Sequence, residues 1–160
     1  MKILLISDSH GRKNAVEELI CNQNCDYVFF MGDGVRDVED IDESIIKKVS
    51  GNCDLFSFEP ITRYEILDGF KIMLTHGHEY KAKLGLETLA FNAKNNNCDI
   101  VVFGHIHKQT CEKINDVLLI NPGAFKYGQY AVLTLQKNKE PIVEFKKIDY
   151  LKIKKQKVSI

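Results

Sequence analysis

Aspartate, asparagine and histidine recur in this chain in five short clusters, each beside a glycine: Asp8-Ser9-His10 before Gly11, Gly32-Asp33, Gly51-Asn52, His76-Gly77-His78 and Gly104-His105-Ile106-His107. All five histidines of the sequence fall within them. Histidines placed for packing or for a solvated surface would scatter, so their collection implies a common centre. Neutral imidazoles and carboxylates together suit divalent Zn, Fe, Mn or Ni. Asp8, His10, Asp33, Asn52, His76, His105 and His107 are seven candidate metal ligands. That is more than one tetrahedral ion accepts and right for two ions sharing an aspartate. Two ions about 3.5–4 Å apart can clamp opposite sides of a phosphoryl group and lower the pKa of a shared water.

Such a centre needs rigid elements that end where the ligands begin. Ile3-Leu4-Leu5-Ile6 is an apolar run without period, as in a strand buried on both faces, and Ser7, Asp8 and His10 follow at its carboxyl end, where open α/β sheets place their chemistry. Residues 27–31 repeat this pattern and break at Gly32-Asp33-Gly34, and residues 99–103 end at Gly104. Residues 63–67 and 70–75 flank Asp68-Gly69, a strong hairpin signal, and the second arm runs into His76. Val16, Leu19 and Ile20 predict a helix over residues 12–23, and Leu86, Leu89, Ala90 and Ala93 predict another closed by Asn95-Asn96-Asn97. Val38, Ile41, Ile45 and Ile46 behind an acidic first turn predict a third over residues 37–48, leading to Gly51-Asn52. The later sequence reads as antiparallel hairpins, 110–114 with 117–120 and 130–136 with 142–147, separated by Asn121-Pro122-Gly123.

A length of 160 residues fits one domain, read here as 1–149 with a basic tail at 150–160 that includes Lys152, Lys154, Lys155 and Lys157. Lys+Arg and Asp+Glu balance at 22 each, so no long-range field draws in nucleic acid or an anionic membrane. No apolar run approaches the roughly 20 residues of a membrane span, and the chain opens on a strand without a small-residue cleavage site, which points to the cytoplasm. Five cysteines, odd in number and without a CxxC pair, argue for a reducing compartment. Most read as inert core thiols, with Cys53 a small buried side chain behind Asn52. No segment reads as a specificity lid or cap to name the natural substrate, and the partner expected is a small phosphodiester. The late hairpins leave edges through which copies of the chain could pair, a route to a homo-oligomer.

In order, these blocks resemble those of the calcineurin-like metallophosphoesterase superfamily. They are most similar to its small bacterial and archaeal YfcE-type phosphodiesterases, where Asn-Cys-Asp commonly stands in place of Asn-His-Glu. The resemblance spans roughly residues 1–147. It implies an α/β fold, a four-layer α/β/β/α sandwich of two mixed sheets flanked by helices. It also implies one ion on Asp8, His10 and His107, a second on Asn52, His76 and His105, and Asp33 bridging them, with Mn taken first among Mn, Fe, Ni and Zn. Hydroxide would attack phosphorus in line, without a covalent enzyme intermediate, and Asp33, Asn52 and His78 would be the catalytic set. His78 either contacts the phosphate, acts as an acid or hydrogen-bonds a ligand. The departure is Cys53, where other members carry a histidine that serves the leaving group; a thiol of pKa about 8.5 is a poor substitute. Asn121 resembles the asparagine of the family's Asn-Pro-Gly turn, and Asp54 reads as orienting its loop. Two alternatives remain: a phosphomonoesterase or nucleotide phosphatase on the same centre, and a protein-binding scaffold, since the fold also resembles a retromer subunit with a degenerate metal face. The filled ligand set favours hydrolysis.

Overall fold

Alternation along the first strand divides its apolar residues between two cores. In the computed structural model, which describes residues 1–149, β1 (Lys2–Ile6) turns Ile3 and Leu5 towards one cluster and Leu4 and Ile6 towards another. A strand buried on both faces must do this, because successive side chains point to opposite sides. The same division recurs in β2 (Tyr27–Phe30), where Phe29 joins Ile3 while Val28 and Phe30 join Leu4.

The first sheet continues through β3 (Ile46–Lys48), β9 (Gln129–Thr134) and β10 (Ile142–Lys147) in the order β10-β9-β1-β2-β3. The second is β4-β5-β6-β8-β7, built from β4 (Thr62–Leu67), β5 (Phe70–Thr75), β6 (Ile100–Val102), β7 (Gln109–Ile114) and β8 (Val117–Pro122). Each sheet contains a parallel run, β1-β2-β3 or β5-β6-β8; the first sheet is antiparallel on its β9-β10 side, and the second at both margins. Between the sheets Ile3, Leu5 and Phe29 meet Ile72, Leu74, Ile100 and Val102. Truncating fully buried Phe29 there would cost about 3–5 kcal/mol through the cavity left. Helix α1 (Lys13–Asn22) covers the outer face of the first sheet with Val16 and Leu19, and α2 (Glu87–Asn95) covers the second with Leu89, Ala90 and Ala93. These are the four layers the resemblance implies.

The hairpin turns are set by residues that tolerate left-handed backbone: Asp68 and Gly69 join β4 to β5, and Asn115 and Asp116 join β7 to β8, all at positive φ. The helix expected over residues 37–48 does not form. A 3-10 turn occupies Val35–Val38, the Asp42 carboxylate accepts the Ser44 N–H at 2.8 Å in an Asx turn, and Ile46 enters β3 opposite Val28. Pairing with the exposed edge of β2 outweighs the helical spacing of Val38, Ile41 and Ile46, whose side chains still pack on the α1 side. The cysteines also differ from expectation. All are free, but only Cys98 is buried; Cys21, Cys53 and Cys111 are exposed and Cys25 is half-buried. The basic tail at 150–160 lies outside the described residues. Among the described residues no helix is long and apolar enough to cross a membrane.

Candidate metal centre

Every chemistry-bearing loop leaves the carboxyl end of a strand in one of the two parallel runs. β1 leads to Asp8 and His10, β2 to Asp33, β3 to Asn52, β5 to His76 and β6 to His105 and His107. The two sheets thus present their strand ends to one another, which brings segments a hundred residues apart onto a shared edge.

The loops are fastened by groups outside the ligand set. Asp54 accepts four backbone N–H groups: Asp33 at 2.7 Å and Gly51 at 2.8 Å on Oδ2, Gly34 at 2.8 Å and Val35 at 2.9 Å on Oδ1. It therefore locks the loop after β2 to the loop after β3. Asp37, buried, holds the Asp8-Ser9-His10 loop through the Ser9 hydroxyl, the Gly11 N–H at 2.9 Å and the Arg12 N–H at 3.1 Å. Asn121, fully buried, donates to the Gly104 carbonyl at 2.6 Å and accepts the Gly123 N–H at 2.8 Å. Gly104 is required by close approach: a Cβ there would collide with the Ser7 hydroxyl and come within 2.8 Å of Asp8 Oδ2.

The side chains converge from two sides on a pair of carboxylates. On one side His107 Nε2 lies 2.9 Å from Asp8 Oδ1, and the His10 and His107 ring centroids are 5.9 Å apart. On the other, the His76 ring packs against His105 at 5.0 Å and His78 at 5.4 Å. Asp33 Oδ2 lies between, 3.8 Å from His10 Nε2 and 3.3 Å from His76 Nε2. Asp8 Oδ1 is 3.9 Å from His76 Nε2.

His76 tests whether cations fit here. Its Nδ1–H donates to the Met31 carbonyl at 2.6 Å, which turns Nε2 inward. That Nε2 is buried and makes no hydrogen bond; Asp33 Oδ2 is within ion-pair reach only. A buried nitrogen facing two carboxylates calls for a positive charge between them. Asp8, Asp33 and His76 offer one group of ligand atoms within 4.8 Å of one another, and Asp8, His10 and His107 offer a second. The donor set fits divalent ions.

The electrostatics fit as well. Burial opposes the charged form of Asp33, but His76 and the Cys53 N–H outweigh it and hold the carboxyl well below the usual range. Burial also works against the His76 cation, yet Asp33 and Asp8 raise its pKa above that of free histidine. His105 is pushed down to about 4 by burial, with His76 and Lys83 nearby, and burial beside His76 lowers His78. Partial desolvation by the neighbouring loops, and then Asp33, raise the Cys53 thiol, so it is not a thiolate at neutral pH.

Residues 1–138 match the calcineurin-like phosphoesterase superfamily domain. The chain belongs to that superfamily. It is 30% identical over 147 residues to the "probable metallophosphoesterase YsnB" of Bacillus subtilis, covering 85% of each chain. It is 31% identical over 153 residues to the phosphodiesterase YfcE of Escherichia coli K12, covering 78% of this chain and 79% of YfcE. A Streptococcus pneumoniae crystal structure described as a "predicted phosphoesterase" superposes with a TM-score of 0.80 at 26% identity, covering 91% of this chain and 88% of that one. The protein is a metal-dependent phosphoesterase of the metallophosphoesterase fold.

Within this family member, Asp8, His10, Asp33, His76 and His107 are drawn together, and His105 joins through the His76 ring. Asn52 is exposed, its amide 3.4 Å from Cys53 Sγ. Contrary to the buried position expected, Cys53 is exposed with its sulfur at the centre, within 4.8 Å of ligand atoms on His10 and Asp33. His78 sits beside His76 and His105, with Nε2 3.5 Å from Glu79. Asp37 escaped the sequence reading, which placed it in a helix's first turn; no local signal marks its partners, which lie 25 to 28 residues away.

Proposed function

We propose that the protein is a two-metal phosphodiesterase acting on small phosphodiesters. The observation that carries this reading is the position of Asp33, its carboxylate facing His10 on one side and His76 on the other. Asp8, His10 and His107 would hold one ion and Asn52, His76 and His105 the other, with Asp33 shared between them. When bound, two divalent ions, with Mn the first choice, neutralise phosphoryl charge and supply hydroxide at neutral pH for in-line displacement.

The chain's own residues prepare that chemistry. Met31 fixes the His76 tautomer so that Nε2 keeps its lone pair for an ion. Burial keeps His105 and His78 neutral, which leaves His105 free to ligate and His78 free to hydrogen-bond a phosphate oxygen. Asn52 completes the set with an uncharged oxygen. Cys53 stays a protonated thiol and is not a nucleophile. Five free cysteines fit a reducing, cytoplasmic setting.

The test is a chelated sample reloaded in turn with Mn, Fe(II), Ni and Zn, assayed on bis(4-nitrophenyl) phosphate and on 4-nitrophenyl phosphate. The reading expects no hydrolysis without metal, two ions per chain at full activity and higher kcat/KM for the diester. Faster turnover of the monoester would make the protein a phosphomonoesterase. Full activity at one ion per chain would remove the bridging role of Asp33.

A further inference from the structure

A cleft of about 690 Å³ opens directly beside His10 and Asp33, between the loop after β2 and the segment 53–59. That volume suits a small-molecule subsite. Its outer wall is Leu55, Phe56 and Phe58, which are 71%, 91% and 104% exposed, and Arg36 lines it as well. Three adjoining large apolar side chains in water are not explained by folding, since they add nothing to any core. Phe56 also holds φ at 64°, a conformation rarely adopted by bulky residues.

The segment is nevertheless tied at its base. The Ser50 hydroxyl meets the Ser57 hydroxyl at 2.9 Å and the Glu59 carbonyl at 2.8 Å, the Ser50 N–H donates to Pro60 at 2.9 Å, and buried Lys48 pairs with Glu59 at 3.3 Å. Lys48 is thereby spent within the wall. Arg36 forms no ion pair among the described residues and remains the cation facing the cleft. A strained, anchored, solvent-facing aromatic wall is built to meet something flat.

Resting on the phosphodiesterase reading, we infer that this cleft is the subsite for an aromatic ester arm of the substrate, an aryl or nucleobase-like ring stacked on Phe56 and Phe58 with Arg36 alongside. Its continuity with His10 and Asp33 places such an arm next to the phosphorus. Stacking on aromatic side chains is tolerant of ring identity, so the subsite selects planarity rather than one base.

The chain has no tryptophan, so Phe56→Trp adds its only indole. Diphenyl phosphate is expected to quench that emission saturably, and diethyl phosphate at equal concentration is not. In Phe56→Ala/Phe58→Ala, KM for bis(4-nitrophenyl) phosphate rises about tenfold with kcat changed less than about twofold and metal content unaltered. Inhibition by diphenyl phosphate weakens in parallel, while the effect of diethyl phosphate does not change. Equal responses to the two phosphates, or an unchanged KM, overturn the inference. A loss of self-association by the double variant with KM unchanged also overturns it and makes the wall a contact between copies. If the wild type hydrolyses no diester with any metal, the phosphodiesterase reading fails instead, and the Phe56→Trp titration still judges the cleft.

Discussion

Asp54 ties two of the ligand-bearing loops together, and its removal separates loop fastening from metal chemistry. Asp54→Ala deletes a carboxylate that accepts four backbone N–H groups at 2.7–2.9 Å. Hydrogen bonds to a charged acceptor contribute about 1.5–3 kcal/mol each. The site is only partly buried, so water replaces some of the lost bonds, and the four are not additive. A net loss of about 3–4 kcal/mol follows, out of a total stability of about 5–15 kcal/mol for such a domain. With a urea slope of about 2 kcal/mol/M, the midpoint falls by about 1.5–2 M. Asp54→Asn presents one oxygen and one NH2; it keeps two of the four bonds but turns a donor towards the other two N–H groups, so it loses at least half as much.

The measurement is urea unfolding in chelator, because bound metal would add its own linkage to the native state. Metal content and turnover are then compared in parallel. Since Oδ2 fixes the Asp33 N–H, Asp54→Ala should also lower metal occupancy under conditions where the chain is still folded. An Ala midpoint within about 0.25 M of wild type would refute the fastening argument. An Asn variant as stable as wild type would equally refute it, because two of the four N–H groups have then lost their acceptor.

Asp33→Asn should lower occupancy of both ions and reduce turnover by about a hundredfold or more, measured by metal analysis and initial rates; wild-type values for both would remove its bridging role. Cys53→Ser should leave stability intact and change the rate by less than about threefold, because the thiol is protonated and exposed; complete loss in a folded variant would make it catalytic. Chelated protein should be most stable near pH 6.5. On the acid side, His105 and His78 refuse protons that their unfolded forms accept, so stability falls as the pH drops below 6.5; on the alkaline side, His76 gives up a proton that its unfolded form has already lost, so stability falls as pH rises. Urea midpoints at pH 5, 6.5 and 8 check this, and His76→Gln should abolish the decline above 6.5; a flat wild-type response there would contradict the charged His76.

The strand ends were legible because their signals are local. An apolar run halted by Asp8, Gly32 or Gly104 marks a buried strand meeting polar chemistry, and Asp68-Gly69 marks a turn at once. Helical spacing misled at residues 37–48, because burial on the α1 side asks only for apolar residues at suitable positions, and a 3-10 turn followed by a strand supplies them equally well. The fastening by Asp37 was beyond reach, since its partners are defined by how loops cross in space. Asn121 sits between these cases: the Asn-Pro-Gly turn was visible, but its hold on Gly104 depends on β6 and β8 lying side by side.

Asp8, His10, Asp33, His105 and His107 share a second property besides their donor atoms: all five adopt left-handed backbone, with φ between 44° and 68°. Such conformations cost on the order of 1 kcal/mol or more each for a non-glycine residue, so the centre stores strain comparable with a fair part of a domain's stability. Aspartate and histidine, with asparagine, are the side-chain-bearing types found most often in that region. The residue types that bind the ions are therefore also those that the sharp loop ends can accommodate, which narrows what can replace them more than coordination alone would. The strain persists because the loops are over-determined: Asp8 N–H bonds Gly32 at 2.9 Å, His10 N–H bonds Asp33 at 3.2 Å, and Asp37, Asp54 and Asn121 hold what lies behind. Loosening any of these fastenings lets the backbone relax towards ordinary φ and carries the ligands away from the centre. Metal affinity is then the first property lost, while the apolar layers beneath keep the chain folded.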